Sequence, residues 1–90
     1  MSKYARRVDA NHATIRQQLQ DIPGMAVLDV SALPGLGCDL IAFCRGKVLF
    51  VEIKAGPKAP LTESERRLQG LAGERFVRAV VVEDVLRALG

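Results

Sequence analysis

The sequence predicts a single α/β domain in which a mixed sheet is flanked by helices, in the order αβββαβα. Three observations predict it. Ninety residues leave room for one core and little else. Segments with strand-like apolar runs alternate with segments of helical apolar spacing. Several of those runs are apolar on both faces, as expected of strands covered by helices on both sides.

Residues 1–7, MSKYARR, read as a flexible basic arm. A helix should follow from Asp9 to Asp21, because Val8, Ile15, Leu19 and Ile22 recur at heptad-like spacing and form one narrow apolar stripe. Pro23-Gly24 ends it. MAVLDVS (25–31) reads as a strand, and ALPGLG (32–37) as a loop punctuated by Gly and Pro. DLIAFC (39–44) and KVLFVEIK (47–54) are strands joined at Arg45-Gly46, followed by the loop AGPKAPL (55–61). TESERRLQGLAGE (62–74) is a helix opened by a T-x-x-E capping box, Thr62 with Glu65, and buried through Leu68, Leu71 and Ala72. FVRAVVV (76–82) is a strand and EDVLRAL (83–89) a closing helix.

Composition excludes several functions. Hydrophobic content of 49% with 26% charged residues argues against disorder. The net charge of +3 is only a weak lean toward an anionic partner. Tyr4, Phe43, Phe50 and Phe76 are too few and too scattered to form a stacking platform for single-stranded bases. Cys38 and Cys44 would lie roughly 20 Å apart along one strand, beyond disulfide reach, so both read as buried small hydrophobes in a reducing compartment. With His12 the only histidine, a Cys/His zinc site within one chain is not expected. His12 itself reads as a surface polar residue. No apolar h-region follows the N-terminus, and no run approaches the roughly 20 apolar residues of a membrane span. A soluble, cytoplasmic protein is expected.

Charges interrupt the two most strand-like segments. Alternation along KVLFVEIK puts Val48, Phe50, Glu52 and Lys54 on one face, and Asp39 shares its face with Ile41 and Phe43. If Arg45 and Gly46 are the central residues of a two-residue turn, cross-strand partners sum to 91, and Asp39 stands directly opposite Glu52; a three-residue loop or a bulge would move the register by one. Carboxylates that close destabilise each other unless a cation lies between them or one takes up a proton. Mg²⁺ takes one or two carboxylates, keeps waters and leaves positions for phosphate oxygens. Lys54 points into the same pocket, where it can orient or deprotonate an attacking water, or neutralise charge in the transition state. An E-x-K pair on a strand is also common as a surface ion pair worth about 0–1 kcal/mol. The apolar residues sharing the face suggest instead that it is covered, where charges need a specific partner.

A D-(x12)-E-x-K spacing on a hairpin, after a helix and a strand and before an αβ unit, resembles the PD-(D/E)XK nuclease superfamily. Its VRR-NUC branch, the virus-type replication-repair nucleases, is the nearer likeness. The segments VDAN, PGLGCDLIAF, VLFVEIKAGPKAPLTESERRL and AVVVEDVLRALG carry it over nearly the whole chain. The resemblance implies a restriction-endonuclease-like fold and Mg²⁺- or Mn²⁺-dependent hydrolysis of DNA phosphodiesters. Stand-alone members are similar to homodimeric nucleases that cut branched DNA such as Holliday junctions. By position it implies Asp39, Glu52 and the Ile53 main-chain carbonyl as metal ligands, and Lys54 as the catalytic lysine.

Three departures qualify that likeness. Cys38 stands where a proline usually precedes the aspartate, which alters the loop and not the ligand. Thr14 aligns with a first-helix glutamate of many relatives, so one ligand would be lost, which leaves open whether one ion or two bind and whether activity is weakened. Glu65 replaces a helix-2 glutamine, and Gln69, one turn on, can stand in for it; Glu65 is also explained as the capping-box acid.

Asn11, Thr14 and Gln18 form a polar strip on the first helix that either faces solvent or borders the site. Lys58, Arg66 and Arg67, with Lys3, Arg6 and Arg7 in the arm, are candidates for phosphate contacts beside the second helix N-terminus. The expected partner is DNA, branched or duplex, read by backbone and shape. Symmetric incision of a four-way junction would require a homodimer. Two alternatives stand beside the enzyme: a DNA-binding module of the same fold with little catalysis, and a nickase or flap nuclease directed by a partner protein.

Overall fold

The computed structural model describes residues 11–90, so the basic arm, Val8 and Asp9 lie outside the described residues. The elements are α1 (His12–Gln20), β1 (Met25–Asp29), β2 (Leu40–Cys44), β3 (Lys47–Ile53), α2 (Glu63–Ala72), a 3₁₀ turn (Gly73–Arg75), β4 (Phe76–Ala79) and α3 (Val82–Leu89). This is the expected αβββαβα order, built on one mixed sheet of strand order β1-β2-β3-β4, with β3 and β4 parallel and the other pairs antiparallel.

The hairpin follows from its turn. Arg45 and Gly46 have φ of 54° and 77°, the paired positive values of a type I′ connection, whose twist matches that of the flanking strands. Cys44 pairs with Lys47 and Leu40 with Val51, the register anticipated from a two-residue loop. Leu40, Ala42, Leu49, Val51 and Ile53 thus share a face, buried with Ile15 and Leu19 of α1, Val77 and Ala79 of β4, and Val85 of α3. Both cysteines are buried.

Several expectations need correction. His12 is 6% exposed, not a surface residue, because positions 12, 15 and 19 are the side of α1 that packs on the sheet. The opposite sheet face is covered only near Glu52; at the hairpin end Phe43 is 40% exposed and Ile41, Val48 and Phe50 are half-buried. The reason is the placement of α2, which turns Glu65 to the sheet and leaves Leu71 80% exposed near the helix end. Strand β1 stops at Asp29, where the carboxylate accepts from the Ser31 N–H and hydroxyl and turns the chain. Strand β4 stops at Ala79, short of the expected Val82, because Asp84 Oδ2 accepts from the N–H groups of Val80 (2.9 Å) and Val81 (3.2 Å) and starts α3.

No helix among the described residues is long and apolar enough to cross a membrane.

Candidate functional site

Asp39, Glu52, Lys54 and Glu65 gather where β2 begins and β3 ends. Asp39 and Glu52 are 4% and 3% exposed. The ladder does not set them squarely opposite each other, as the register sum had suggested. Val51 pairs with Leu40, yet its carbonyl also accepts from the Asp39 N–H at 2.9 Å, so the pairing slips by one residue at Asp39. The Asp39 carboxylate then reaches along the strand, and Oδ2 accepts from the Ile53 N–H at 2.9 Å. The two acids remain close enough for the charge of Asp39 to act on Glu52.

Gly37 makes the approach to Asp39 feasible. Its φ is +98°, and a Cβ there would stand 2.5 Å from the Ser64 carbonyl oxygen, so a glycine is required where the loop passes the first turn of α2. That contact holds α2 against the segment leading into Asp39.

From α2 comes Glu65, whose double use the sequence presented as two competing readings. Its N–H donates to Thr62 Oγ1 (3.3 Å) and its Oε1 accepts from the Thr62 N–H (2.8 Å), completing the capping box. The same Oε1 lies 2.8 Å from Lys54 Nζ, while Glu52 Oε2 lies 3.6 Å from that amine. Glu65 is therefore both the helix cap and the lysine's partner.

The electrostatics follow from this crowding. Burial, then the neighbouring Asp39 carboxyl and a hydrogen bond with Glu65, push Glu52 up to about 9, against the opposing pull of Lys54. Burial alone would raise Glu65, but hydrogen bonds from Lys54 and the Thr62 N–H hold it below the ordinary glutamate range. Desolvation would lower Lys54, yet its contacts with Glu65 and Glu52 raise it, so its amine is an ammonium.

The remaining expected residues fall into three groups. Asn11 reaches the site's backbone: its Nδ2 donates to the Lys54 carbonyl at 3.0 Å. Thr14, Gln18 and Gln69 are exposed, and none takes part in the side-chain hydrogen bonds of the cluster among the described residues. Lys58, Arg66 and Arg67 are exposed on the loop and first turns leading from Lys54, with Arg66 Nη1 donating to the Leu61 carbonyl at 2.8 Å. Arg78 was missed. It pairs with Glu52 across the parallel ladder and donates to the Pro57 carbonyl, fastening the loop that carries Lys58. The signal was a lone arginine in the otherwise apolar FVRAVVV.

The donor set suits a hard divalent cation. Mg²⁺ prefers oxygen ligands and needs only one or two carboxylates, with water and substrate filling the rest. Asp39 and Glu52 offer that pair, and the burial that drives Glu52 upward, together with the repulsion from Asp39, is what a cation would relieve. Among the described residues no group of three or more His, Cys, Asp or Glu is gathered as a ready-made metal cage. No family model matches the chain, and neither a curated protein nor a solved structure was found similar to it.

Proposed function

We propose that this chain is a divalent-metal-dependent DNA endonuclease of the PD-(D/E)XK kind, resembling the VRR-NUC branch, that hydrolyses phosphodiester bonds. One observation carries the reading: a buried Asp39–Glu52 pair shares its cluster with an ammonium, Lys54, held 2.8 Å from a third carboxylate. A purely structural ion cluster would not need two acids that repel each other beside a single lysine.

Asp39, Glu52 and the Ile53 carbonyl would hold Mg²⁺ or Mn²⁺, which supplies Lewis acidity to a phosphoryl oxygen and lowers the pKa of a bound water. Asp39 keeps its orientation through the Ile53 N–H, so ligand and backbone are tied together. Lys54, clasped by two carboxylates, keeps its proton at Nζ and contributes positive charge and hydrogen bonds where negative charge builds on the phosphoryl group. Lys58, Arg66 and Arg67, exposed beyond Lys54, would receive the flanking backbone, with the positive end of the α2 dipole beside them. A homodimer acting on branched DNA is the assembly this reading favours, since one metal centre cuts one strand.

A DNA-binding module with little catalysis is the second reading, favoured by one observation: Thr14, aligned with a glutamate of the resembled family, is exposed and outside the cluster. A panel of labelled four-way junction, flap, nicked and linear duplexes in Mg²⁺ or Mn²⁺ separates the two. Cleavage by the native chain, lost in Lys54→Ala and Asp39→Asn while binding persists, is the expected result. Binding without cleavage, identical in all three proteins, would reject the enzyme.

A further inference from the structure

We propose that Asn11 is a positioning residue, clamping the backbone of Lys54 so that its amine stays on the carboxylate cluster. The inference rests on the nuclease reading for its functional meaning and on geometry alone for its mechanism.

Asn11 occupies the N-cap position of α1, where an asparagine ordinarily turns its side-chain oxygen onto the first amides of its own helix. Here the side chain does not cap the helix, although the main-chain carbonyl accepts from the Ile15 N–H at 3.0 Å. Its Oδ1 is buried without a hydrogen-bond partner among the described residues, a local cost that demands a compensating role. Its Nδ2 instead donates to two carbonyls distant in sequence, Lys54 at 3.0 Å and Val80 at 2.7 Å. Two acceptors side by side require the two N–H donors of one amide nitrogen, which fixes the orientation of the group.

The position of those carbonyls gives the clamp its meaning. Strands β3 and β4 end at Ile53 and Ala79, and one further rung, Lys54 N–H to the Ala79 carbonyl at 2.9 Å, closes the parallel ladder. Beyond it the strands part, with Val80 N–H committed to Asp84. Lys54 is thus the first residue outside the sheet, at the carboxyl edge of parallel strands where ligands of open α/β sheets bind. Its N–H is held by Ala79 and its carbonyl by Asn11, so both flanking peptide planes are fixed and the side chain leaves from a defined direction. Without Asn11 the second plane is free to rotate, and Nζ loses its fixed approach to Glu65 and Glu52.

The test reads Lys54 directly, without metal or substrate. In ¹⁵N-labelled protein the Nζ–H signal of Lys54, assigned by its disappearance in Lys54→Arg, should be observable in the native chain because the ammonium is ion-paired. Asn11→Ala should abolish or shift that signal. Val85→Ala, a core truncation in α3, should leave it in place at comparable loss of Tm. An unchanged signal in Asn11→Ala overturns the proposal, and so does equal loss in both variants, which would mean general loosening. Should Asn11→Ala fail to fold, Asn11→Ser, whose single short donor serves at most one carbonyl, takes its place under the same criteria. In cleavage assays Asn11→Ala should lower kcat about 10- to 100-fold with KM unchanged, the penalty of slight misplacement. A rise in KM with kcat intact also overturns it. Loss of the Nζ signal in a chain that never cleaves DNA would leave the clamp standing and reject the nuclease reading alone.

Discussion

Asp29 on β1 and Glu52 on β3 carry the same functional group, one strand between them, and folding drives them in opposite directions. Against the effect of burial, the Ser31 hydroxyl and N–H, the Arg16 guanidinium at 2.6 Å and His12 hold Asp29 down to about 2. Burial, Asp39 and Glu65 push Glu52 up to about 9, although Lys54 is 3.6 Å away. The difference lies in what each carboxyl meets. Asp29 meets donors and a cation at an edge open to water, and its charge is absorbed into the turn after β1. Glu52 meets other acids in a covered site, and the nearby ammonium is closer to Glu65 than to it. One arrangement is finished as it stands; the other, on the proposed reading, would take a cation.

The largest effect should separate the two in function. Lys54→Ala and Asp39→Asn are expected to reduce DNA cleavage by at least about 10²-fold, whereas Asp29→Asn should cleave close to the native rate in the same junction assay. Equal losses in all three would abolish the contrast.

Stability against pH comes next. The folded-state pKa of Glu52 lies above the unfolded value, so its contribution is fully present below the unfolded pKa and is lost as pH rises through about 9. Native stability should therefore decline from about pH 5 to pH 9. Glu52→Gln, neutral throughout, should flatten that slope and gain about 1–3 kcal/mol at pH 7 in urea unfolding. At pH 8, Mg²⁺ well above its dissociation constant should raise native stability by about 1–3 kcal/mol. It should leave Glu52→Gln nearly unmoved; a gain equal in both proteins would place the ion elsewhere.

Asp29 gives the smallest effect, with opposite sign. Its folded pKa is depressed, so its contribution is present above the unfolded value and lost as pH falls toward 2. Asp29→Asn should cost about 0–1 kcal/mol at neutral pH, shrinking under acid.

Local features of this chain were legible in the sequence. Arg45-Gly46 fixed the hairpin register, and Thr62 with Glu65 marked the start of α2 three residues apart. The site acids were legible as charges within apolar runs. Less local facts were not. The slip at Asp39 depends on where the loop after β1 delivers the chain, and the exposure of Phe43 depends on how far α2 extends over the sheet. Strand β4 read as longer than it is because AVVV is apolar in either conformation, and the deciding carboxylate, Asp84, comes after it. Asn11 bonds residues 43 and 69 positions away, a pairing that no periodicity encodes. His12 could have been read correctly, since it stands three and seven residues before Ile15 and Leu19 on the same stripe.

A single oxygen, Glu65 Oε1, ties the opening turn of α2 to the amine of Lys54. Helix ends are the first parts of a domain to fray on warming. When that turn opens, the lysine is released with it, while the β2–β3–β4 core remains paired. Heat should thus free the lysine some degrees before the molecule melts, and any ligand that seats the start of α2 would protect both together.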